Sequence, residues 1–376
     1  MKIKSSYAIY DTTKKAWTAM LESIKNAEKS IYWEVYILID DEIGNNFFDI
    51  LIEKAKAGVE VKLVLDYWGS FWLSKKKIQE LKNSGIDIRL FQQKMIPIRS
   101  LKDWIFRRTH RKILIIDEKI GFIGSVNILK SMEDWNDIHI KLKGKVVKSL
   151  LRSFAKSYIS CGGKRKNVKK LLKYKYKVEN EDINFIYDDA KERNSRARTK
   201  YIEALKKAKN KVTFFSPYYF PDKHFLKALW SARKKGIKID LLIPFRSDIR
   251  IATYVAYTWF SLMNKMGVNI YMTKKMMHGK GVIVDDDWAM IGSSNLDHVS
   301  FHRNYEANIQ LKEKGVVKKL TRIMKRWKKE SIKLDKEKWE KRHFIKKIKE
   351  KVYSKIYTFL FDIKHEKIKK RKSRNK

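Results

Sequence analysis

Two strings in this chain carry residue types that together could exchange a phosphodiester. The first is His110-Arg111-Lys112, then Asp117, then Gly124-Ser125-Val126-Asn127. The second is His278-Gly279-Lys280, then Asp285, then Gly292-Ser293-Ser294-Asn295. In both, Lys lies two residues after His, Asp seven and Asn seventeen. A single string of this kind could arise by accident in a Lys-rich chain; two with the same spacing are hard to ascribe to accident. Residues two apart in an extended strand share a face, so His and Lys of each copy would project together. A neutral imidazole can attack phosphorus, a protonated one can release the alcohol, and ammonium groups can stabilise the charge building on phosphate oxygens. Two His and two Lys supply this set with no metal and no other cofactor.

The elements that must hold these strings alternate. Residues 31–38 read as a strand, 43–57 as an amphipathic helix closed by Gly58, 59–65 as a strand, 73–83 as a helix and 86–90 as a strand. The run Ile113-Leu114-Ile115-Ile116 has the continuous apolar character of a strand buried on both faces, and 120–124 follows after a turn at Asp117. Residues 145–157 read as a helix. The second half repeats the order: strands at 212–215, 237–243 and 268–271, with helices at 223–233 and 251–266. Such an internal duplication, strand alternating with helix, predicts mixed or mostly parallel sheets covered by helices. We therefore expect an α/β fold of two duplicated lobes whose mixed β-sheets are flanked by helices, with a pseudo-twofold axis bringing both strings to one shared active site. The boundaries expected are residues 1–160 for the first lobe, 161–193 for a connector, 194–312 for the second lobe and 313–376 for a basic helical C-terminal extension.

The duplicated H-x-K-x4-D-x6-G-S-x-N resembles the signature of the phospholipase D superfamily. Trp135-Asn136-Asp137, Asn295-Leu296-Asp297, Asn304-Tyr305-Glu306 and Ser216-Pro217-Tyr218-Tyr219-Phe220-Pro221-Asp222 are similar to the bacterial cardiolipin synthase branch. The resemblance runs from about residue 30 to 311. One departure is Arg108-Thr109 before the first His, where the family usually carries Asn. The resemblance implies transfer of a phosphatidyl group from one phosphatidylglycerol to another through a phosphohistidine, and it favours His110 as the nucleophile. Lys112 and Lys280 would stabilise the phosphate, with Ser125, Asn127, Ser293 and Asn295 donating hydrogen bonds to it; the two Asn could instead simply serve the turn after Gly. Each His needs a carboxylate to fix its tautomer. Asp137 lies 27 residues after His110 and Glu306 lies 28 after His278, each at the start of an apolar strand, and the resemblance supports this role for both. The signature counts Asp117 and Asp285 with the catalytic set, but as strand-terminating residues pointing away from His they are expected to be structural. His139 reads equally well as a support group or as structure.

Lys and Arg total 86 against 42 Asp and Glu, a formal charge of +44. Such a field attracts nucleic acid or an anionic membrane surface, and charge alone does not choose. Eleven Trp, several in pairs such as Tyr67-Trp68 and Phe71-Trp72 or flanked by basic residues as in Trp104-Ile105-Phe106, favour a lipid surface. So does the 341–376 stretch, with fifteen Lys/Arg against three Asp/Glu. There Phe344, Ile348, Val352, Ile356 and Phe359 recur at three- and four-residue steps, reading as a basic amphipathic helix that binds a membrane or packs on the core. Residues 369–376 read as a polybasic tail. The longest largely apolar run, 251–263, is too short to span a bilayer, no leader is visible at the start, and Cys161 is the sole cysteine. The expectation is a cytoplasmic enzyme, peripheral on the inner face of the plasma membrane, acting on anionic phospholipid and needing no oligomer, since one chain holds both strings. Phospholipase D-type hydrolysis, phosphatidylserine synthase-like headgroup exchange and a metal-independent nuclease are the alternatives.

Overall fold

The computed structural model describes residues 6–91, 107–175, 182–189 and 195–360. Trp104-Ile105-Phe106, the acidic part of the expected connector (Glu179, Glu181) and the polybasic tail lie outside them. The first lobe is built on strands β1 (Tyr7–Thr12), β2 (Ser30–Val35), β3 (Glu60–Asp66), β4 (Asp87–Phe91), β5 (Ile113–Ile116), β6 (Ile120–Gly124) and β7 (Asn136–Lys143), in the sheet order β1-β7-β6-β5-β2-β3-β4. The second uses β8 (Ile183–Asp188), β9 (Lys211–Phe215), β11 (Lys238–Pro244), β12 (Asn269–Thr273), β13 (Gly281–Val284), β14 (Trp288–Gly292), β16 (Glu306–Leu311) and β17 (Ser331–Lys333). Its order is β17-β12-β11-β9-β13-β14-β16-β8, and short strands β10 (Tyr219–Phe220) and β15 (Leu296–Asp297) pair separately. Setting β17 aside, the two sheets have one topology, and both are mixed. β2, β3 and β4 are parallel, as are β9, β11 and β12, while β5 and β13 run antiparallel to β2 and β9.

Why the motif strand shows no alternation is plain from what it touches. Ile113 and Ile115 face a core shared by both sheets, whereas Leu114 and Ile116 face the helices on the outer side of the first sheet. Between the sheets that shared core is filled by helices Val146–Ser160 and Lys314–Lys329, which bury Leu150, Phe154, Leu320 and Trp327.

Two boundaries differ from the expectation. Residues 183–188, assigned to a connector, form β8, the counterpart of β1 at the far edge of the second sheet. Its mixed Ile-Asn-Phe-Ile-Tyr-Asp sequence beside charged residues hid the strand. Residues 314–329, assigned to the extension because of their charge, form the counterpart of helix Val146–Ser160, with a buried Val/Leu/Ile/Met/Trp face. Residues 36–38, expected to continue β2, leave the ladder, and Leu38 instead bridges Ile128. In helix Phe344–Leu360 the packed face is aromatic: Tyr353 stacks on Tyr254 at 4.7 Å and Tyr357 meets Phe220 at 5.0 Å. The apolar residues singled out above point the other way and are exposed. No helix among the described residues is long and apolar enough to cross a membrane.

Asp117 and Asp285 do the same job in both lobes. Each begins the turn after its motif strand with positive φ (52° and 50°), a conformation Asp tolerates better than most residues. Each carboxylate accepts three consecutive backbone N–H groups, from Glu28, Lys29 and Ser30 or from Lys209, Asn210 and Lys211. The hairpin is thereby tied to the start of β2 or β9, on the side away from the histidines. Asp117→Ala should cost about 2 kcal/mol in stability, read from urea denaturation, because three donors lose a charged acceptor and Ala tolerates the turn poorly. Asp117→Asn, which keeps the turn and one acceptor oxygen, should cost less; an unchanged midpoint in both variants would refute the cap.

Candidate active site

β5 is antiparallel to β2, and β13 to β9, so the residues just before β5 and β13 emerge where β2 and β9 end. That places His110, Lys112, His278 and Lys280 at the junction of the lobes, all buried. The backbone stitches this junction. His110 N–H donates to the Tyr305 carbonyl at 2.9 Å, and His278 N–H to the Asn136 carbonyl at 2.7 Å. Isolated parallel bridges join Thr109 to Tyr305 and Asn136 to Met277.

The carboxylates follow from this stitching. Asp137 and Glu306 each stand one residue beyond the stitched carbonyl, and each meets the histidine of the opposite lobe. His110 Nδ1 lies 3.1–3.2 Å from both Glu306 oxygens, and His278 Nδ1 lies 3.0 Å from Asp137 Oδ2. Nearly matching offsets within a repeat cannot distinguish this crossed pairing from pairing inside each lobe. Ser125 and Ser293, expected on the phosphate, are corrected by the geometry: their hydroxyls donate to Asp137 and Glu306. They hold the carboxylates. Gly124 and Gly292 permit the close approach, since a Cβ at either would stand 2.4 Å from the carbonyl of Ile138 or Ala307.

Lys112 and Lys280 each donate to the carbonyl of their own His at 2.7 Å. Asn127 and Asn295 are buried in equivalent places, and no hydrogen bond within the protein occupies their side-chain oxygens. Asp117 and Asp285 lie elsewhere, as described. His139 stacks near Phe122 with both ring nitrogens unpartnered, and burial pushes its pKa down to about 4, so it stays neutral inside the fold.

Several contributors escaped the sequence reading. Tyr36, freed from β2, sets its ring 4.9 Å from His110 and under the Lys112 ammonium at 4.8 Å. Trp135 packs against His278 at 5.5 Å. Asn304 Nδ2 donates to Glu306. Arg111, between His and Lys of the first motif, donates to the carbonyls of Glu306 (3.2 Å) and Asp188 (2.7 Å) and to Ser157 Oγ (2.9 Å). It clamps the first motif to β16 and β8 of the second lobe. Gly279 stands in its place in the other copy, where a side chain would press on Ile138 and the Trp327 ring. That Arg/Gly difference inside otherwise matched motifs was the available signal.

The electrostatics of the two pairs differ. Burial pushes Glu306 up to about 7 despite Lys112. Burial acts on Asp137 too, but the His278 imidazole and Lys280 outweigh it and hold its carboxyl below the ordinary value. His110 is driven well below 6.5 by burial, then by Lys112, Lys280 and His278; His278 is lowered by burial and Lys280 against the pull of Asp137. Lys112 is also lowered by burial and by Lys280, while burial brings Lys280 down to about 8. Charges from both lobes thus act on each other across the junction.

The arrangement holds two imidazoles, two lysine side chains and two crossed carboxylates at one junction. Residues 20–158 and 201–328 match the family described as "Cardiolipin synthase, PLD-like domain". Cardiolipin synthase 2 of Bacillus anthracis is 34% identical over 89% of this chain and 67% of its own length. Cardiolipin synthase of Geobacillus kaustophilus (strain HTA426) is 31% identical over 94% of this chain and 72% of its own. The crystal structure of phosphatidylserine synthase from Haemophilus influenzae Rd KW20 superposes with a TM-score of 0.73 at 13% identity, covering 94% of this chain and 95% of that one, a likeness of fold. With both lobes matched by one family description and relatives this similar along most of its length, the chain belongs to the cardiolipin synthase branch of the phospholipase D-like family.

Proposed function

We propose that the chain is a cardiolipin synthase, moving a phosphatidyl group from one phosphatidylglycerol to a second and releasing glycerol. The observation that carries this reading is the crossed arrangement itself: two histidines at one junction, each backed by the other lobe's carboxylate, with two buried lysines beside them. The likeness to named cardiolipin synthases along nine-tenths of the chain supports the lipid substrate over a nucleic acid. The net charge of +44 suits an anionic substrate in an anionic leaflet, with the protein peripheral on the inner face of the plasma membrane.

With Nδ1 committed to a carboxylate, Nε2 is the reactive nitrogen of each ring. Neutral His110 attacks phosphorus, and the bond from phosphorus to the headgroup oxygen breaks. His278, whose imidazolium is favoured by ionised Asp137, gives its proton to the departing glycerol. Now neutral, His278 takes the proton of the acceptor's glycerol hydroxyl, whose oxygen attacks phosphorus and displaces His110. Lys112, Lys280 and the Asn127 and Asn295 side chains bear on the phosphate, such donors contributing on the order of 3 kcal/mol each.

The test incubates purified protein with phosphatidylglycerol vesicles and EDTA. Cardiolipin and glycerol are the expected products; phosphatidic acid as the main product would make the enzyme a hydrolase, and DNA cleavage without lipid turnover would make it a nuclease. His110→Ala and His278→Ala should each lower kcat by about 10³-fold or more. Full activity in either variant would overturn the shared site.

The opposed protonation states give kcat/KM a bell-shaped pH profile. The acidic limb, where His110 gains a proton, falls below pH 6.5 because burial and the neighbouring ammonium groups lower its pKa. Asp137→Asn removes a charge that raises the His278 pKa. The limb reporting loss of the His278 proton should therefore move to lower pH, and kcat should drop by about 10²-fold or more. A limb that stays fixed or moves upward would remove Asp137 from this role.

A further inference from the structure

Large apolar side chains left in water are costly, and when they gather on one surface they mark what that surface meets. Among the described residues, the exposed large apolar side chains other than Trp230, Leu262 and Ile332 occupy three places. Trp68, Phe71 and Trp72 lie in the loop leaving β3, with Trp72 77% exposed. Phe245 and Ile249 lie in the loop leaving β11. Phe344, Ile345, Ile348, Val352, Ile356 and Phe359 form a stripe on helix Phe344–Leu360, with Phe359 84% exposed.

The topology puts all three at the end of the sheets that holds the two histidines. His110 and His278 precede strands antiparallel to β2 and β9, so they lie at the end of each sheet where parallel β3 and β11 finish. The loops leaving β3 and β11 therefore flank the two histidines. Asp66 fastens the first loop there, accepting N–H groups from Trp68 and Gly69 and from Thr109 beside His110. Arg108 lies 5.5 Å over the Trp68 ring. The second loop is fastened by Ser247, bonded to Thr253 and to the Ile249 carbonyl, and its Asp248 accepts the Tyr218 hydroxyl. Helix Arg250–Lys265 starts where this loop ends, and it holds helix Phe344–Leu360 through the Tyr254–Tyr353 stack.

Charge then selects the occupant. Lys346, Lys347, Lys349, Lys351 and Lys355 border the exposed stripe, while Glu350 is already bonded to Arg342. A second copy would bring one lysine-bordered face against another between chains of formal charge +44, which repel. An anionic bilayer accepts both components, burying the apolar stripe near the headgroups while the lysines reach phosphates.

We propose that these three patches form a single docking face that seats the mouth of the active site on an anionic membrane, so that donor and acceptor lipids reach the histidines from the plane of the bilayer. The proposal rests on the lipid-transfer reading above and adds the surface and the direction of substrate entry.

The test uses full-length protein with vesicles of phosphatidylglycerol and phosphatidylcholine in equal parts, and with phosphatidylcholine alone. Co-sedimentation with the first and not the second is expected, with tryptophan fluorescence quenched by brominated acyl chains. Ile345→Glu, Ile348→Glu and Val352→Glu combined should weaken vesicle partition by about tenfold or more. Phe71→Asp with Trp72→Asp, in a separate patch, should do likewise and remove part of the quenching. Circular dichroism checks that each variant is folded. Wild-type binding that neither variant weakens, or a dimer in sedimentation velocity that the triple variant dissociates, overturns the docking face. Turnover of dispersed short-chain phosphatidylglycerol separates the two readings. If wild-type protein turns it over without binding vesicles, the docking face fails alone; if it binds through the face but turns over neither substrate, the catalytic reading fails alone.

Discussion

Everything in this molecule depends on the exchange of carboxylates across the lobe junction. A buried imidazole or carboxylate is costly unless something pairs with it. Neither lobe supplies that partner to its own histidine: Glu306 comes to His110 and Asp137 to His278. The docked arrangement is therefore a condition for burying these groups, and the rest of the fold enforces it. The Arg111 clamp, the paired backbone bonds at Tyr305 and Asn136, and the core shared by helices Val146–Ser160 and Lys314–Lys329 all act on the same junction.

The positive field at the centre has a simple source. Lys112 and Lys280 sit two residues past their histidines in the short segments that lead into β5 and β13, and each donates to its own histidine's carbonyl, so the site receives both lysines by construction. Burial makes these ammonium groups easier to deprotonate, and the carboxylates Glu306 and Asp137 oppose that drift. The crossed carboxylates thus serve the lysines as well as the imidazoles.

Much of this was legible beforehand. The doubled spacing located the residues that meet at the lobe junction, and the uninterrupted Ile113–Ile116 run announced a strand covered on both sides. Asp117 and Asp285 were readable as structural because they end that strand. What stayed hidden involves direction and distance. A serine beside a motif is a donor by type, but only the β6–β7 and β14–β16 approach turns Ser125 and Ser293 toward the carboxylates. Helix Lys314–Lys329 was masked by its own basic exterior, and β8 by a short polar-interrupted sequence, because both draw their stability from partners distant in the chain. In helix Phe344–Leu360 periodicity found an apolar stripe but could not say that Tyr353 and Tyr357, off that stripe, do the packing.

A perfectly duplicated site would be ambiguous, since either histidine could begin. Here the copies have drifted apart: glutamate near its midpoint at neutral pH on one side against ionised aspartate on the other, Arg111 opposite Gly279, Trp135 opposite Asn304. Fusing both halves into one polypeptide is what lets them differ, because two identical subunits could not. On the transfer reading proposed above, that inequality would give the reaction a sequence in time, with one imidazole carrying the lipid and the other carrying the proton.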